Sequence, residues 1–439
     1  SAGAVYTILT FGSLSGTFGT VTLPDISGSG VLWDTSELYT AGKLTVIAGD
    51  SDGDGVLDIN DAFPNDGSKS APEISVTSPT ASQEYDAGTT SISVTIGKTV
   101  ASSYSGHWHY RMDSAYVIGV DESSDSGTMV MSGNSATATV GSGAQTIYVA
   151  LVDGSHNVVA ISSQAFSVKI DTDGDGYSDD IDAYPTDSSM VQADYAPASD
   201  VYGSVAYEDL WPNKGDYDFN DVVIDYQYKY GKDVSGKVRQ VEVSMKVNTI
   251  AEYKDGIGIM FEGMADKISS VSGVGNVSGI SVTNGIEDGN GADGVIIIST
   301  DQKNEIVTLN VTINFSDNGN GVEKASLGDA PHNIFIFSQS TRGREIHLPG
   351  NKYTAKMDTN YFNTGDDSTS ESTQATTFKT ADDLPWALHI AEKFDYPKEG
   401  KSIVEAYTKF DDWAQSGGSA SQDWYSNETY KDNTKITER

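Results

Sequence analysis

One motif occurs twice and constrains everything else in the chain. Asp-Ser-Asp-Gly-Asp-Gly-Val-Leu-Asp-Ile-Asn-Asp begins at Asp50, and Asp-Thr-Asp-Gly-Asp-Gly-Tyr-Ser-Asp-Asp-Ile-Asp begins at Asp171. Each copy closes on an aromatic–Pro turn, Phe63-Pro64 and Tyr184-Pro185. Such Gly/Asp-rich blocks break regular structure and read as punctuation between modules. They occupy residues 50–66 and 171–187 and leave three segments, 1–49, 71–170 and 188–439.

The spacing inside each block points to a hard cation. Ca²⁺ takes six to eight oxygens in a compact turning loop. Asp at positions 1, 3 and 5 supplies carboxylates on the inside of one turn, and Gly at position 6 permits the bend. A carbonyl at position 7 and acids at 9 and 12 complete the set. In the first block these are Asp50, Asp52, Asp54, Gly55, Val56, Asp58 and Asp61. In the second they are Asp171, Asp173, Asp175, Gly176, Tyr177, Asp179 and Asp182. Position 12 is Asp, not the bidentate Glu of an EF-hand, and no helical pattern leads in. The blocks therefore resemble thrombospondin type 3 repeats, which implies calcium as the cofactor. A solvated acidic linker is the plain alternative, but without a cation so many carboxylates in one turn repel each other.

The segments between the blocks read as strands. In 71–170 short alternating runs recur with turns between them, as in an immunoglobulin-like β-sandwich. Ile92, Val94 and Ile96 share one face there, as do Ile147, Val149 and Leu151. Residues 188–439 give longer runs, including 221–230, 238–247, 307–315 and 332–339. Near the end the period changes. Ile403, Val404, Tyr407, Phe410 and Ala414 follow helical spacing, with Ser402 and Glu405 as a capping box and Gly417 as a stop. The expected fold class is mainly β: modular β-sandwich domains joined by calcium-binding acidic loops, with at least one amphipathic helix in the C-terminal domain.

The first segment is too short to bury a core of its own. Its runs Val5–Phe11 and Lys43–Ala48 read as strands. Trp33 to Leu38 followed by Gly42 to Val46 resembles the closing segment of bacterial passenger-type β-solenoid proteins. The chain opens on a strand already under way. The expectation is that this strand pairs outside its own chain or completes an upstream domain.

A third acidic stretch, Asp209 to Tyr226, compresses the oxygen spacing into Asp216, Asp218, Asn220 and Asp221. These four are candidate metal ligands; a hydrogen-bonded turn is the alternative. Around them stand Asp209-Leu210-Trp211-Pro212 and, further on, Glu345-Ile346-His347-Leu348-Pro349-Gly350, Asp383-Leu384-Pro385-Trp386-Ala387 and Asp423-Trp424-Tyr425. In this order, over roughly residues 195–430, the chain resembles the LruC-type domain of bacterial surface proteins. The resemblance implies a β-rich C-terminal domain on secreted or envelope proteins, beside acidic calcium repeats, and no established catalysis.

Charge and composition narrow the function. There are 27 Lys and Arg against 63 Asp and Glu, a net charge of −36, which repels nucleic acid and anionic membrane surfaces. The chain has no Cys, which excludes disulfides and thiol chemistry. No apolar run is long enough to span a membrane, and no nucleophile elbow, zincin motif or phosphate loop is present. The expected role is non-enzymatic: an extracellular or cell-surface bacterial protein of adhesion or architecture. Its partners would be further copies of itself or surface proteins and glycans. The alternative is a carbohydrate-binding accessory protein or carbohydrate-active enzyme, in which Trp211, Trp386, Trp413 or Trp424 stack on sugar rings. Core packing is the ordinary role of such tryptophans. His107 and His109 stand two apart on a strand and share a face. They can bind Zn²⁺ if a third ligand joins, for which His156 is the candidate. Structural histidines are the plain alternative.

Overall fold

The computed structural model describes every residue except 113, 124–126, 250–254, 276, 299–305, 370–376 and 438–439. The chain forms two compact units, Ser1–Asp180 and Ile181–Arg439. Strands hold 39% of the chain and helical turns 5%, so it is mainly β.

The first unit opens with β1 (Val5–Thr7), β2 (Val31–Asp34) and β3 (Lys43–Ala48), in the order β1-β3-β2. The run expected over Val5–Phe11 stops at Thr7, where Ile8 and Leu9 both donate their N–H to the Gly42 carbonyl. Gly42 has φ 69°, and a Cβ there would fall 2.1 Å from the Leu9 carbonyl oxygen, so only Gly fits. The strand thus finds its backbone partner within residues 1–49 (Val5 opposite Thr45). Its side chains stay outside: Val5 and Ile8 are each 54% exposed.

The rest of this unit is a sandwich built from β4 (Glu73–Ser78), β5 (Gln83–Tyr85), β6 (Ser91–Thr99), β7 (His107–Arg111), β8 (Thr128–Val130), β9 (Ser135–Thr139), β10 (Gly143–Val152) and β11 (Val158–Val168). One sheet runs β4-β6-β9 and the other β5-β11-β10-β7-β8. This is the strand order of an immunoglobulin-type sandwich. Ile92, Val94 and Ile96 of β6 meet Trp108, Ile147, Val149 and Leu151 in its core. The far face of the second sheet is also covered. Tyr116 packs there on Ala150, Val152 and Val158. The register sets His109 opposite Ala150 and His107 opposite Val152, so both histidines lie on that outer face.

The second unit contains β12 (Gln192–Ala196), β13 (Gly203–Tyr207), β14 (Val222–Lys232), β15 (Val238–Thr249), β16 (Asp255–Phe261), β17 (Ile268–Ser272), β18 (Val282–Thr283), β19 (Ile286–Glu287), β20 (Gly294–Ile298), β21 (Ile306–Phe315), β22 (Asn333–Ser338), β23 (Thr341–His347) and β24 (Ala387–Ile390). One sheet runs β17-β21-β15-β14-β13-β24, with β12 added on β14, and a second runs β20-β16-β22-β23. Their inner faces share one large core. Tyrosine is prominent in it because each buried hydroxyl finds an acceptor. Tyr207 donates to the Ile334 carbonyl at 2.8 Å and Tyr228 to the Pro331 carbonyl at 2.7 Å. The Glu345–Gly350 motif is part of this interior: His347 Nε2 lies 2.8 Å from Glu345, and its Nδ1 lies 2.9 Å from Asn333.

The outer face of the larger sheet carries the helical region. Ala206, Val223, Leu388 and Ile390 pack against Ile403, Tyr407, Phe410 and Trp424. The expected single helix is broken into α1 (Ile403–Ala406) and α2 (Phe410–Gln415). Tyr407 is extended at φ −126° and ψ 94°. Its ring is buried against Phe394 and Trp424, and its hydroxyl donates to the Asp395 carbonyl. Tertiary packing of that ring therefore overrides the periodicity. The capping box does not form, since the Ser402 side chain makes no cap hydrogen bond. The stop is as expected: Gly417 has φ 64°, and Gly418 donates to the Trp413 carbonyl at 2.9 Å. Among the described residues no helix is long and apolar enough to cross a membrane.

Candidate metal centres

In the first acidic block, carboxylate oxygens of Asp50, Asp52 and Asp54 lie within 4.8 Å of one another. The turn that gathers them is held by its own acids. Asp50 accepts the N–H of Gly53 at 2.8 Å and of Gly55 at 3.1 Å, and Asp54 accepts that of Val56 at 2.8 Å. Gly53 and Gly55 have φ 78° and 93°, which turns the backbone tightly enough for three acids to converge.

The second block repeats this geometry bond for bond. Asp171, Asp173 and Asp175 converge within 4.8 Å. Asp171 accepts the N–H of Gly174 at 2.7 Å and of Gly176 at 3.0 Å, and Asp175 accepts that of Tyr177 at 2.8 Å.

The remaining expected ligands are placed differently. Asp58 directs one oxygen to the Ser51 N–H and the other to the Ser51 hydroxyl, each at 2.7 Å. Asp179 does the same to Thr172, at 2.8 and 2.7 Å. Both serve as clasps that close the loop and lie outside the three-carboxylate groups. Asp61 and Asp182 accept the N–H of Phe63 and of Tyr184, each at 2.7 Å. Val56 and Tyr177 enter these bonds through their N–H groups. The orphaned oxygens test the fit to a cation. Asp52 Oδ2, Asp61 Oδ2, Asp175 Oδ2 and Asp182 Oδ2 are buried with no hydrogen-bond partner among the described residues. Oxygens left in this state fit an oxygen-seeking ion.

The third cluster lies in the second unit, on the loop between β13 and β14. Asp216 and Asp218 converge with Glu399, within 4.8 Å. Asn220 and Asp221 are not in that group. Asn220 donates to the Pro397 carbonyl, and Asp221 accepts the Asp209 N–H at 2.9 Å. Two acids absent from the compressed motif are close by. Glu208, fully buried, accepts the Phe219 N–H, and Glu399 arrives from the segment before α1. The loop bends through two aromatic residues in the left-handed region, Tyr217 at φ 60° and Phe219 at φ 52°. Conformers of that kind cost about 1–2 kcal/mol each. They persist because both rings pack on Phe410, with centroids 6.0 and 5.9 Å away.

Burial makes this cluster electrostatically demanding. Burial and the neighbouring Asp221 push Glu208 well above the usual carboxylate range. Burial and the proximity of Asp209 push Asp221 up to about 8. Asp218 is pushed up to about 7, again by burial, with Asp216 adding to it. Among the described residues, Glu208 Oε2 and Asn220 Oδ1 are buried without hydrogen-bond partners. Acids so arranged either hold protons or gather around a cation.

Of the four tryptophans considered for sugar stacking, Trp211, Trp386 and Trp424 are core residues, at most 1% exposed. Trp413 reaches a cavity of about 430 Å³ in the second unit that His389 and Asp383 also line.

No curated protein matches the chain's sequence. A Bacteroides ovatus crystal structure of a candidate lipoprotein aligns over 79% of this chain and 92% of its own, at 16% identity and a TM-score of 0.42. Fibronectin(III)-like modules of Clostridium thermocellum CbhA align over 22% of this chain and 94% of their own, at 15% identity and a TM-score of 0.16. The PKD domain of human KIAA0319 covers 22% of this chain and 80% of its own, at 6% identity and a TM-score of 0.16. None of these likenesses carries a functional inference. Residues 236–425, most of the second unit, match a family described as a domain of unknown function, DUF4842.

Proposed function

We propose that this chain is a calcium-stabilised structural or adhesive protein of the bacterial surface or extracellular space. The observation that supports it best is the repeated Asp ladder, with the same N–H-to-carboxylate bonds at Asp50 and Asp171 and orphaned oxygens beside them. Two independent segments that fold into one oxygen-rich turn are matched to one ligand. Calcium would order loops that are otherwise Gly-rich and flexible, and the second loop falls where one compact unit gives way to the next. The resemblance to the LruC-type domain over roughly residues 195–430 supports a surface protein in this reading. Its partners in this reading are surface proteins, glycans or further copies of itself.

Limited proteolysis tests the reading. With Ca²⁺ present, residues 50–66 and 171–187 resist cleavage; with excess chelator they become the first sites cut. Identical digestion patterns under both conditions would contradict it. A carbohydrate-binding role is the second reading, supported by the cavity that Trp413, His389 and Asp383 line. Calcium-dependent signals on a glycan array would favour it over architecture.

A further inference from the structure

The outer face of the immunoglobulin-type sandwich gathers three histidines. His107, His109 and His156 each offer a ring nitrogen, and the three nitrogens lie within 4.8 Å of one another. His107 Nε2 and His109 Nε2 are 2.8 Å apart. The His156 ring stands edge-on to His107, with centroids 4.8 Å apart and planes at 72°. The first two rings are buried, at 5% and 2% exposure, and His156 is half-buried, which leaves a way in.

Three elements converge to make this arrangement. Strand alternation puts His107 and His109 on one face of β7. The turn from β10 to β11 brings His156, whose backbone is left-handed at φ 66°. That turn is fixed by Asp153, which accepts the N–H of Ser155 at 2.8 Å and of Asn157 at 2.9 Å. The segment ahead of β8 then closes over it: Glu122 donates its N–H to the His156 carbonyl at 2.9 Å, and Val158 donates to Val120 at 2.9 Å. Three imidazoles converge on one point of the outer face while the opposite face of the same strand supplies Trp108 and Tyr110 to the core.

We infer that His107, His109 and His156 form a binding site for a zinc-class divalent transition metal, with a fourth position open to water or an exogenous ligand. Three imidazoles and one open position is a recurrent zinc arrangement. Nitrogen is the preferred donor for such ions, whereas Ca²⁺ selects the oxygen loops, so the two metals sort to different sites. Tetrahedral Zn–N bonds place ligand nitrogens about 3.3 Å apart, so the two Nε2 atoms need part by only about half an ångström. The ion would clamp β7 to the β10–β11 turn.

The test uses the intact chain in excess Ca²⁺, titrated with Co²⁺ as an optical probe. One equivalent should give the intense visible bands of a four- or five-coordinate nitrogen site, and Zn²⁺ should bleach them. His156→Asn tolerates the left-handed backbone and removes one ligand. It should weaken Co²⁺ binding at least about tenfold while the metal-free melting temperature stays near that of the parent. Absence of the bands in the parent would overturn the inference, as would an unchanged Co²⁺ affinity in His156→Asn.

Discussion

Asp218 accepts the backbone N–H of Gly400 at 2.8 Å, joining residues 182 positions apart. The bond brings Glu399 against the β13–β14 loop, so the third acidic cluster is a product of tertiary structure. Asp218 also accepts the Asn220 N–H at 3.2 Å and is 1% exposed. Asp218→Ala orphans both donors and should cost about 1–3 kcal/mol even in chelator. Glu399→Gln removes only a negative charge from the surface and should stay within about 0.5 kcal/mol of the parent in chelator. In Ca²⁺, Glu399→Gln should gain less stability than the parent does. Chemical denaturation of both variants, with and without Ca²⁺, checks this.

Asp175→Ala should loosen the second block without unfolding the sandwich before it. The core of that module, including Ile92, Val94, Trp108 and Leu151, contains none of the loop's acids. The expected outcome is rapid cleavage within 171–187 in Ca²⁺ with the near-ultraviolet signal of Trp108 retained. Loss of that signal would show that the module depends on the loop.

His332 gives the second unit a definable acid sensitivity. Its Nδ1–H donates to the Leu327 carbonyl at 3.0 Å, and its Nε2 accepts from the Tyr230 hydroxyl at 2.8 Å. Burial pushes it down to about 4 from an ordinary value of 6.5. The unfolded chain therefore binds a proton that the folded chain refuses. This contribution is intact above pH 6.5 and is lost as pH falls towards 4. Asp218 and Asp221, pushed up to about 7 and 8, act with the opposite sign, because the cation-free folded state takes up their protons. Comparing the parent with His332→Asn cancels those acids. The parent's stability relative to the variant should fall by about 2–3 kcal/mol between pH 7 and pH 4.5. Parallel pH profiles would refute the assignment.

Gly258 of β16 lies directly opposite Phe335 of β22, and Gly256 opposite Phe337. A Cβ on Gly258 would fall 2.0 Å from the Phe335 ring, and one on Gly256 2.2 Å from the Phe337 ring. The aromatic rings fill the space that the glycines leave. Gly258→Ala should destabilise by about 1–3 kcal/mol through overpacking, and Phe335→Leu in the same chain should recover part of the loss. Equal melting of Gly258→Ala and the parent would contradict this.

What was legible in the sequence follows the range of the forces involved. Alternation along 91–97 marks a real strand because it buries one face, and the apolar run in 145–152 marks another although both of its faces are covered from Val149 onward. The Asp ladders are legible because their geometry is local, set by bonds that reach seven residues or fewer. The break at Tyr407 was not, since it answers to Phe394 and Trp424, which are distant in sequence. Glu399 was invisible for the same reason. Glu208 stands immediately before the quoted Asp209, and the pairing of β13 with β14 was the missing signal. Asp58 and Asp179 hold ladder positions and also accept from the Ser51 and Thr172 hydroxyls, partners that the Asp spacing does not signal.

Calorimetric titration of chelator-stripped, intact chain with Ca²⁺, followed by melting of the same samples, tests the calcium account most directly. The expected result is saturable binding to the acidic clusters, at least one ion for each Asp ladder, and a melting temperature that rises with occupancy. Absence of saturable heat, together with melting curves that superimpose in Ca²⁺ and in chelator, would contradict it.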